Sequence, residues 1–200
     1  MDLPETLPAR LYLLAYDPAK GRARPRSRIG YVLRAAALAD LYLRGNLEDA
    51  DGRPRASARA PLPADPVLDA VLRDIAESRP RPWAHWVRKH SEETKRAVVD
   101  QLAAGGWIEV HPRRTLGIIP STTVTLHEPA VVSRLGELFR AALRATAAVT
   151  DAGQRDATMV ALAAAGGLST VLPEEQRHEH GTQAGPVITA LRRVLADGEG

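Results

Sequence analysis

The sequence contains no cysteine, and this excludes disulfides, thiolate catalysis and zinc–thiolate sites. It has no apolar run of about 18 residues, so we predict no transmembrane helix. The N-terminus lacks a basic stretch followed by an apolar one, so we predict no signal peptide. The chain has 200 residues, of which 44% are hydrophobic, enough for one domain with a real core. These features together predict a cytoplasmic protein.

Lysine is also scarce. Only Lys20, Lys89 and Lys95 are lysines, so arginine supplies the other 24 of the 27 basic residues. Because alanine, glycine and proline are abundant too, this composition indicates a GC-rich coding bias. A local cluster tells more than the total, and one such basic run alternates with small residues: Lys20, Arg22, Arg24, Arg26 and Arg28. The basic run is typical of a solvated loop or of a surface that attracts phosphate on lipid or nucleic acid.

The sequence contains none of the common catalytic motifs. There is no G-x-S-x-G, no Walker A loop, no G-x-G-x-x-G and no H-E-x-x-H. The pair His178 and His180 lies in a polar segment, where i,i+2 spacing is more typical of a solvated loop than of a metal site. We therefore expect no enzyme activity, no cofactor and no metal.

A long apolar stretch, residues 27–45, is the centre of the chain. Ser27 is a suitable N-cap and Gly45 a suitable C-terminal stop, so we predict a helix of about five turns. This helix is apolar nearly all round, which is typical of a helix inside a fold. Asp40 and Arg44 have the i,i+4 spacing of an ion pair.

Arg34 lies in the middle of this predicted helix with no acid three or four residues away. A guanidinium stays protonated, so Arg34 must reach water, a carboxylate elsewhere or a bound anion. Which of these partners it finds is the main question that the sequence poses.

Most of the remaining chain shows helical periodicity. Residues 3–16 predict a first helix or an extended lead-in. Further predicted helices cover a segment opened by Asp65 and Pro66 and residues 83–90, 91–104, 131–149, 154–172 and 187–195, with a polar loop over 174–186. Residues 107–126 change to alternation and predict one protruding β-hairpin. The fold class is therefore mainly α, a single globular domain of residues 1–200.

The hairpin allows three interpretations. Its tip, residues 116–120, is more apolar than a solvated turn, and Arg113 and Arg114 lie beside it. A membrane-dipping loop has this composition, because apolar side chains enter the acyl boundary while arginines meet anionic headgroups. A packing or oligomer contact is the second interpretation. A helix followed by a basic hairpin is also the pattern of winged-helix DNA readers, but Glu92, Glu93 and Asp100 on the helix oppose a phosphate backbone.

The order of these segments resembles the Golgi phosphoprotein 3 family, peripheral membrane proteins that bind phosphatidylinositol 4-phosphate. The resemblance covers roughly residues 3–195 and is strongest in the central helix, which ends in L-x-L-R-G-x-L over 41–47. The matching segments are LPARLYLLAYDPAKGR, IGYVLRAAALADLYLRGNL, VLDAVLRDIAE, the Gly-Gly-Trp-Ile junction with its hairpin, and HEP with the helix that follows. The coding bias is typical of a bacterial, actinobacterial-type member.

The resemblance implies a headgroup site. It assigns a phosphate ligand to Arg34 and a second basic ligand to Lys95, while Glu92 departs from the family pattern. The family's tryptophan before the central helix falls near Pro25, so Arg24 and Arg26 are the substitutes available. The implied membrane or oligomer hairpin contains Arg113, Arg114, Leu116, Ile118 and Ile119.

We therefore predict a non-enzymatic peripheral protein that binds anionic phospholipid headgroups, phosphoinositide-like, at the cytoplasmic membrane face. It would use a basic pocket and an apolar hairpin tip, and it could self-associate through the hairpin. The alternatives are an interaction or oligomerising scaffold that has lost lipid binding and, less favoured, a winged-helix nucleic-acid binder. No nucleic-acid partner is expected.

Overall fold

The computed structural model describes residues 2–17, 22–23, 28–115, 119–144, 151–168 and 185–197, except for the side chains of 17, 22–23, 112–122 and 151–152. Eight helices and six short strands follow one another in these residues. In chain order they are α1 (Leu7–Leu14), β1 (Tyr16–Asp17), β2 (Arg22–Ala23), α2 (Ile29–Leu43), β3 (Leu47–Ala50), β4 (Arg53–Ala56), α3 (Pro66–Ala76), α4 (Trp83–Arg88), α5 (Ser91–Ala104), β5 (Ile108–Thr115), β6 (Ile119–Leu126), α6 (Pro129–Arg144), α7 (Asp151–Ala165) and α8 (Pro186–Ala196).

Helix α2 is the centre of the fold. Twelve of its fifteen residues are buried, and it contacts α1, α3, α4, α5, α7 and α8. Its four alanines from Ala35 to Ala39 allow neighbouring helices to approach closely, since small side chains bring helix axes together. Leu33 and Leu38 are fully buried between these neighbours. This confirms the predicted mainly helical domain built around a buried central helix.

Glycine ends three of the helices by the same mechanism. Beyond α2, Gly45 has φ +76°, its N–H bonds to the Tyr42 carbonyl, and the Asn46 N–H bonds to the Leu41 carbonyl. This is a Schellman motif, which needs a left-handed residue that glycine supplies without steric cost. Gly106 ends α5 in the same way, and Gly167 ends α7.

The strands form three two-stranded antiparallel sheets. The predicted hairpin is β5–β6, with Ile108 opposite Leu126 and Thr115 opposite Ile119. Two further pairs, β1–β2 and β3–β4, come from polar segments that lack clear alternation. Among the described residues, no helix is long and apolar enough to cross a bilayer.

Several boundaries and contacts differ from the predictions. Helix α7 ends at Ala165, because Gly166 and Gly167 terminate it before Pro173 is reached. Leu138 has the helical spacing of an inward residue but is 39% exposed, because the buried face of α6 is Val131, Leu135 and Phe139. The predicted N-cap Ser27 and most of the polar loop over 174–186 lie outside the described residues.

Asp40 links the central helix to its neighbours. It is fully buried, and one of its oxygens accepts the Leu7 backbone N–H at 2.8 Å, which caps α1 in place of Thr6. Arg155 from α7 donates to both Asp40 oxygens, at 2.7 and 2.8 Å. Arg44 adds the predicted i,i+4 bond at 2.9 Å. Asp40 therefore holds α1, α2 and α7 together.

Replacing Asp40 by alanine should lower the free energy of unfolding by about 3 kcal/mol, because it removes one partner of a buried ion pair and uncaps α1. Urea unfolding measures this loss. The matched control is Asp69→Ala, which removes an i,i+4 ion pair with the exposed Arg73 and should cost less than about 1 kcal/mol. Equal losses in the two variants would contradict the role assigned to Asp40.

Candidate anion-binding site

The first turns of α2 and α5 lie side by side. A Cβ added to Gly30 would be 3.0 Å from the Ser91 carbonyl oxygen and 2.9 Å from Glu92 Oε1, so the two helices touch at Gly30. One turn further along both helices, Arg34 contacts Thr94. The first turn of a helix carries a partial positive charge, and the adjacent first turns reinforce one another. The backbone here favours an anion, and Glu92 and Glu93 in the first turn of α5 already place two carboxylates at this position.

Arg34 lies one turn beyond Gly30 on α2 and is 3% exposed. Its Nε donates to the Trp86 carbonyl at 3.1 Å, and its two terminal nitrogens donate to Thr94 Oγ1 at 3.3 Å and Asp74 Oδ2 at 2.8 Å. These bonds use three of the five guanidinium N–H groups. Of the three partners open to Arg34, which are water, a carboxylate and a bound anion, the structure contains the carboxylate of Asp74 on α3.

Asp74 joins Arg34 to a second cation. Its other oxygen accepts from Lys89 Nζ at 2.5 Å, and Lys89 also lies 4.9 Å from the centre of the Trp86 ring. The three charged side chains become steadily more exposed, from 4% for Arg34 to 19% for Asp74 and 30% for Lys89. Two cations and one carboxylate leave this ion-pair cluster (Arg34, Asp74 and Lys89) with a net charge of +1.

Electrostatics keep the cluster ionised. Burial alone raises the pKa of Asp74, but hydrogen bonds from Lys89 and Arg34 outweigh burial and hold that pKa below its ordinary value. Burial lowers the pKa of Arg34, and Asp74 opposes that effect. Burial, followed by the charges of Arg81 and Lys89, lowers the pKa of nearby His85. Arg34, Asp74 and Lys89 are therefore all charged near neutral pH, and Glu93 adds a further negative charge that acts on Arg34.

The junction between α4 and α5 positions the cluster's partners. His90 adopts a left-handed conformation with φ +56°, and the Thr94 hydroxyl donates to the His90 carbonyl at 2.9 Å. Left-handed backbone is uncommon outside glycine and marks a tight turn. This turn places Lys89 at the end of α4 and Thr94 in the first turns of α5, both within reach of Arg34.

Lys95 lies on the same helix as Thr94, beside the cluster but outside it. It forms an exposed i,i+3 ion pair with Glu92 at 3.0 Å. An exposed pair of this kind contributes roughly 0.2–1 kcal/mol, so an incoming phosphate can replace Glu92 at little cost. Glu92 and Glu93 both lie in the first turn of α5, so an incoming anion also meets their negative charge.

The β5–β6 hairpin follows α5 in the chain. Gly105 and Gly106 connect α5 to β5, in which Arg113 and Arg114 pair with Ser121 and Pro120. Ile119 begins β6 opposite Thr115. The tip residues Leu116 and Ile118, as well as Arg24 and Arg26 before α2, lie outside the described residues.

A separate cavity of about 480 Å³ lies between the β3–β4 hairpin and the C-terminal end of α3. Arg53, Arg55 and Trp86 line part of it, but neither Arg34 nor Lys95 does. It is therefore distinct from the site at the first turns of α2 and α5.

The assignment of Arg34 and Lys95 as ligands stays a prediction, and sequence reasoning did not indicate that Asp74, Lys89 and Thr94 lie around Arg34. Asp74 is forty positions from Arg34 and shows no local pattern that would connect them. Lys89 carried one signal, since it is one of three lysines in an arginine-rich chain.

The fold and the cation cluster define a helical domain with a buried, ion-paired arginine on α2, next to α5, and a β-hairpin that follows α5 in the chain. The chain belongs to the Golgi phosphoprotein 3 (GPP34) family, whose sequence pattern matches residues 7–197. This family is known for phosphoinositide and lipid binding, is membrane-associated and is non-enzymatic. No curated protein matches the chain.

Gly30→Ala should lower the free energy of unfolding by about 1 kcal/mol. Overpacking against the Ser91 carbonyl costs about 1–3 kcal/mol, while the better helix propensity of alanine returns at most about 1 kcal/mol. Gly136→Ala is the matched control, because nothing lies within 4 Å of the new methyl group and the variant should gain about 0.5–1 kcal/mol. Urea midpoints measure both, and a gain at Gly30 would contradict the close approach of α2 and α5.

Asp74→Asn should lower the free energy of unfolding by about 2 kcal/mol near neutral pH. The loss is below the value for a fully buried pair because Asp74 and Lys89 are partly exposed. Since the folded-state pKa of Asp74 is depressed, its contribution is present above the unfolded pKa near 3.8 and is lost as the pH falls through the folded value. The difference between wild type and variant should therefore narrow in acid, and a constant difference across this range would contradict the ion-pair origin.

Proposed function

We propose that this protein is a peripheral membrane protein that binds anionic, phosphoinositide-like phospholipid headgroups at the joined first turns of α2 and α5. The observation that carries the proposal is the ion-pair cluster of Arg34, Asp74 and Lys89, with a net charge of +1, next to the first turns of α2 and α5. Family membership supports a lipid ligand in general. The headgroup phosphate accepts hydrogen bonds from the free N–H groups of Arg34 and is attracted by Lys95.

Residues that lie outside the described part of the chain complete the proposed surface. Arg24 and Arg26 come shortly before α2 in the sequence, and in this proposal they add positive charge to the site in place of the family's aromatic residue. The apolar tip of the β5–β6 hairpin, with Leu116, Ile118 and Ile119, enters the acyl boundary. Arg113 and Arg114 remain at headgroup level, where each basic residue contributes about 1 kcal/mol near an anionic surface.

The second candidate is an interaction scaffold that has kept this fold without binding lipid. It is favoured by one observation, namely that Arg34 and Lys95 already have carboxylate partners in Asp74 and Glu92. Such a scaffold would self-associate through the hairpin, and the measurements below separate it from the first candidate.

Lys95→Ala should weaken binding to vesicles of phosphatidylcholine containing phosphatidylinositol 4-phosphate about fivefold, corresponding to about 1 kcal/mol for one basic residue at an anionic surface. Arg96→Ala is the matched control, since it removes the same charge from the neighbouring position of α5, where Arg96 is exposed. Ile118→Asp should weaken binding more than tenfold, because insertion of an isoleucine contributes about 1.5–3 kcal/mol. Co-sedimentation with vesicles measures all three.

Two results would overturn the lipid proposal. One is wild-type protein that does not sediment with any anionic vesicle, and the other is equal binding by wild type, Lys95→Ala and Ile118→Asp. If Ile118→Asp instead abolishes self-association in analytical ultracentrifugation while vesicle binding is absent throughout, the scaffold is the correct function.

A further inference from the structure

Arg34 already binds an anion that is part of the protein. The carboxylate of Asp74 lies 2.8 Å from a terminal nitrogen of Arg34, so it uses an N–H group that a phosphate oxygen could otherwise accept from. The arginine is nearly inaccessible to solvent, and Asp74 stands between it and the more exposed Lys89. An external anion must therefore compete with Asp74 for this guanidinium.

We propose that Asp74 is an internal competitor that makes the site select dianionic phosphomonoester headgroups over monoanionic phosphodiester headgroups. This inference rests on the proposed function and names the residue that sets its specificity. The competitor is tethered to α3, so its effective concentration at Arg34 exceeds that of any free ligand. A ligand with the same charge as Asp74 therefore gains little free energy when it replaces Asp74 at Arg34.

The charge of the ligand decides the outcome. A phosphodiester headgroup carries one negative charge, the same as Asp74, so its exchange for the tethered carboxylate is unfavourable. A phosphomonoester carries about −1.5 to −2 near neutral pH and offers three acceptor oxygens, so it gains both Coulombic energy and hydrogen bonds from Arg34. The two guanidinium N–H groups that make no bond within the described residues are available to it.

Lys89 makes the exchange possible. Lys89 bonds to the second oxygen of Asp74 at 2.5 Å. Asp74 therefore keeps one cationic partner when the ligand replaces it at Arg34. The Trp86 ring beneath Lys89 holds the ammonium in place. Without Lys89, the displaced carboxylate would lose the second cation that it contacts among the described residues, and release of Arg34 would be less favourable.

The test compares wild type and Asp74→Asn on two sets of phosphatidylcholine vesicles with matched charge density. One set contains phosphatidylglycerol, a phosphodiester, and the other contains phosphatidylinositol 4-phosphate. Asp74→Asn should gain about fivefold or more in affinity for phosphatidylglycerol vesicles, so that the wild-type preference for the phosphomonoester shrinks. Asp69→Asn removes the same charge from α3, away from Arg34, and should leave the preference unchanged within about twofold.

A second variant shifts binding in the opposite direction. Lys89→Gln should weaken binding to the phosphomonoester vesicles, whereas Arg88→Gln removes the same charge from α4, where Arg88 pairs with Asp197, and should not reproduce the loss. Urea unfolding of each variant checks that it is folded. Because Lys89 is partly exposed, Lys89→Gln keeps the inference testable if Asp74→Asn unfolds.

The outcomes separate this inference from the function on which it rests. If wild type binds phosphomonoester vesicles and Asp74→Asn keeps the same preference, the inference is wrong and lipid binding stands. If neither protein binds either set of vesicles, the proposed function is wrong and the inference falls with it. A shift in preference in Asp74→Asn that Asp69→Asn does not show supports both.

Discussion

The structure depends on a helix that is buried almost completely and yet carries two charges. Arg34 and Asp40 are both buried in α2. No buried residue of α2 neutralises either charge, and Arg44, which pairs with Asp40, lies just beyond the helix. An unpaired buried charge costs several kcal/mol, a large part of the 5–15 kcal/mol that typically stabilises a domain. The elements packed around α2 must therefore supply hydrogen-bonding or oppositely charged partners for Arg34 and Asp40. The partners come from other elements: Leu7 and Arg155 for Asp40, and Asp74, Trp86 and Thr94 for Arg34.

The two charges are compensated in different ways, and this difference separates stability from function. Asp40 has no exposed surface, and Arg155 engages both of its oxygens while Arg44 engages one, so its environment is closed. Arg34 keeps two N–H groups unused by the described residues, and its carboxylate partner is shared with a half-exposed lysine. A closed, fully bonded charge holds a fold together. A charge with spare donors and a shared partner can exchange ligands, which is why the Arg34 end of α2 is the functional candidate.

Local signals in the sequence predicted much of the architecture. Asp65 caps α3 by accepting the Val67 and Leu68 N–H groups, and Gly45 ends α2, because capping and left-handed backbone depend on nearby residues. The i,i+4 pair of Asp40 with Arg44 is local for the same reason. Where two local signals competed the prediction was wrong: the Gly166–Gly167 pair ended α7 before Pro173 did.

The sequence by itself determined that α2 is buried, where it ends, and that Arg34 must reach water or an anion, because apolar periodicity, turn chemistry and the permanent charge of a guanidinium are properties of adjacent residues. It also carried the family resemblance over nearly the whole chain. Only the tertiary structure decided which anion Arg34 meets. Asp74 reaches it from a helix forty residues away, and Lys89 reaches Asp74 from a third helix, through contacts that arise only when these helices pack around α2.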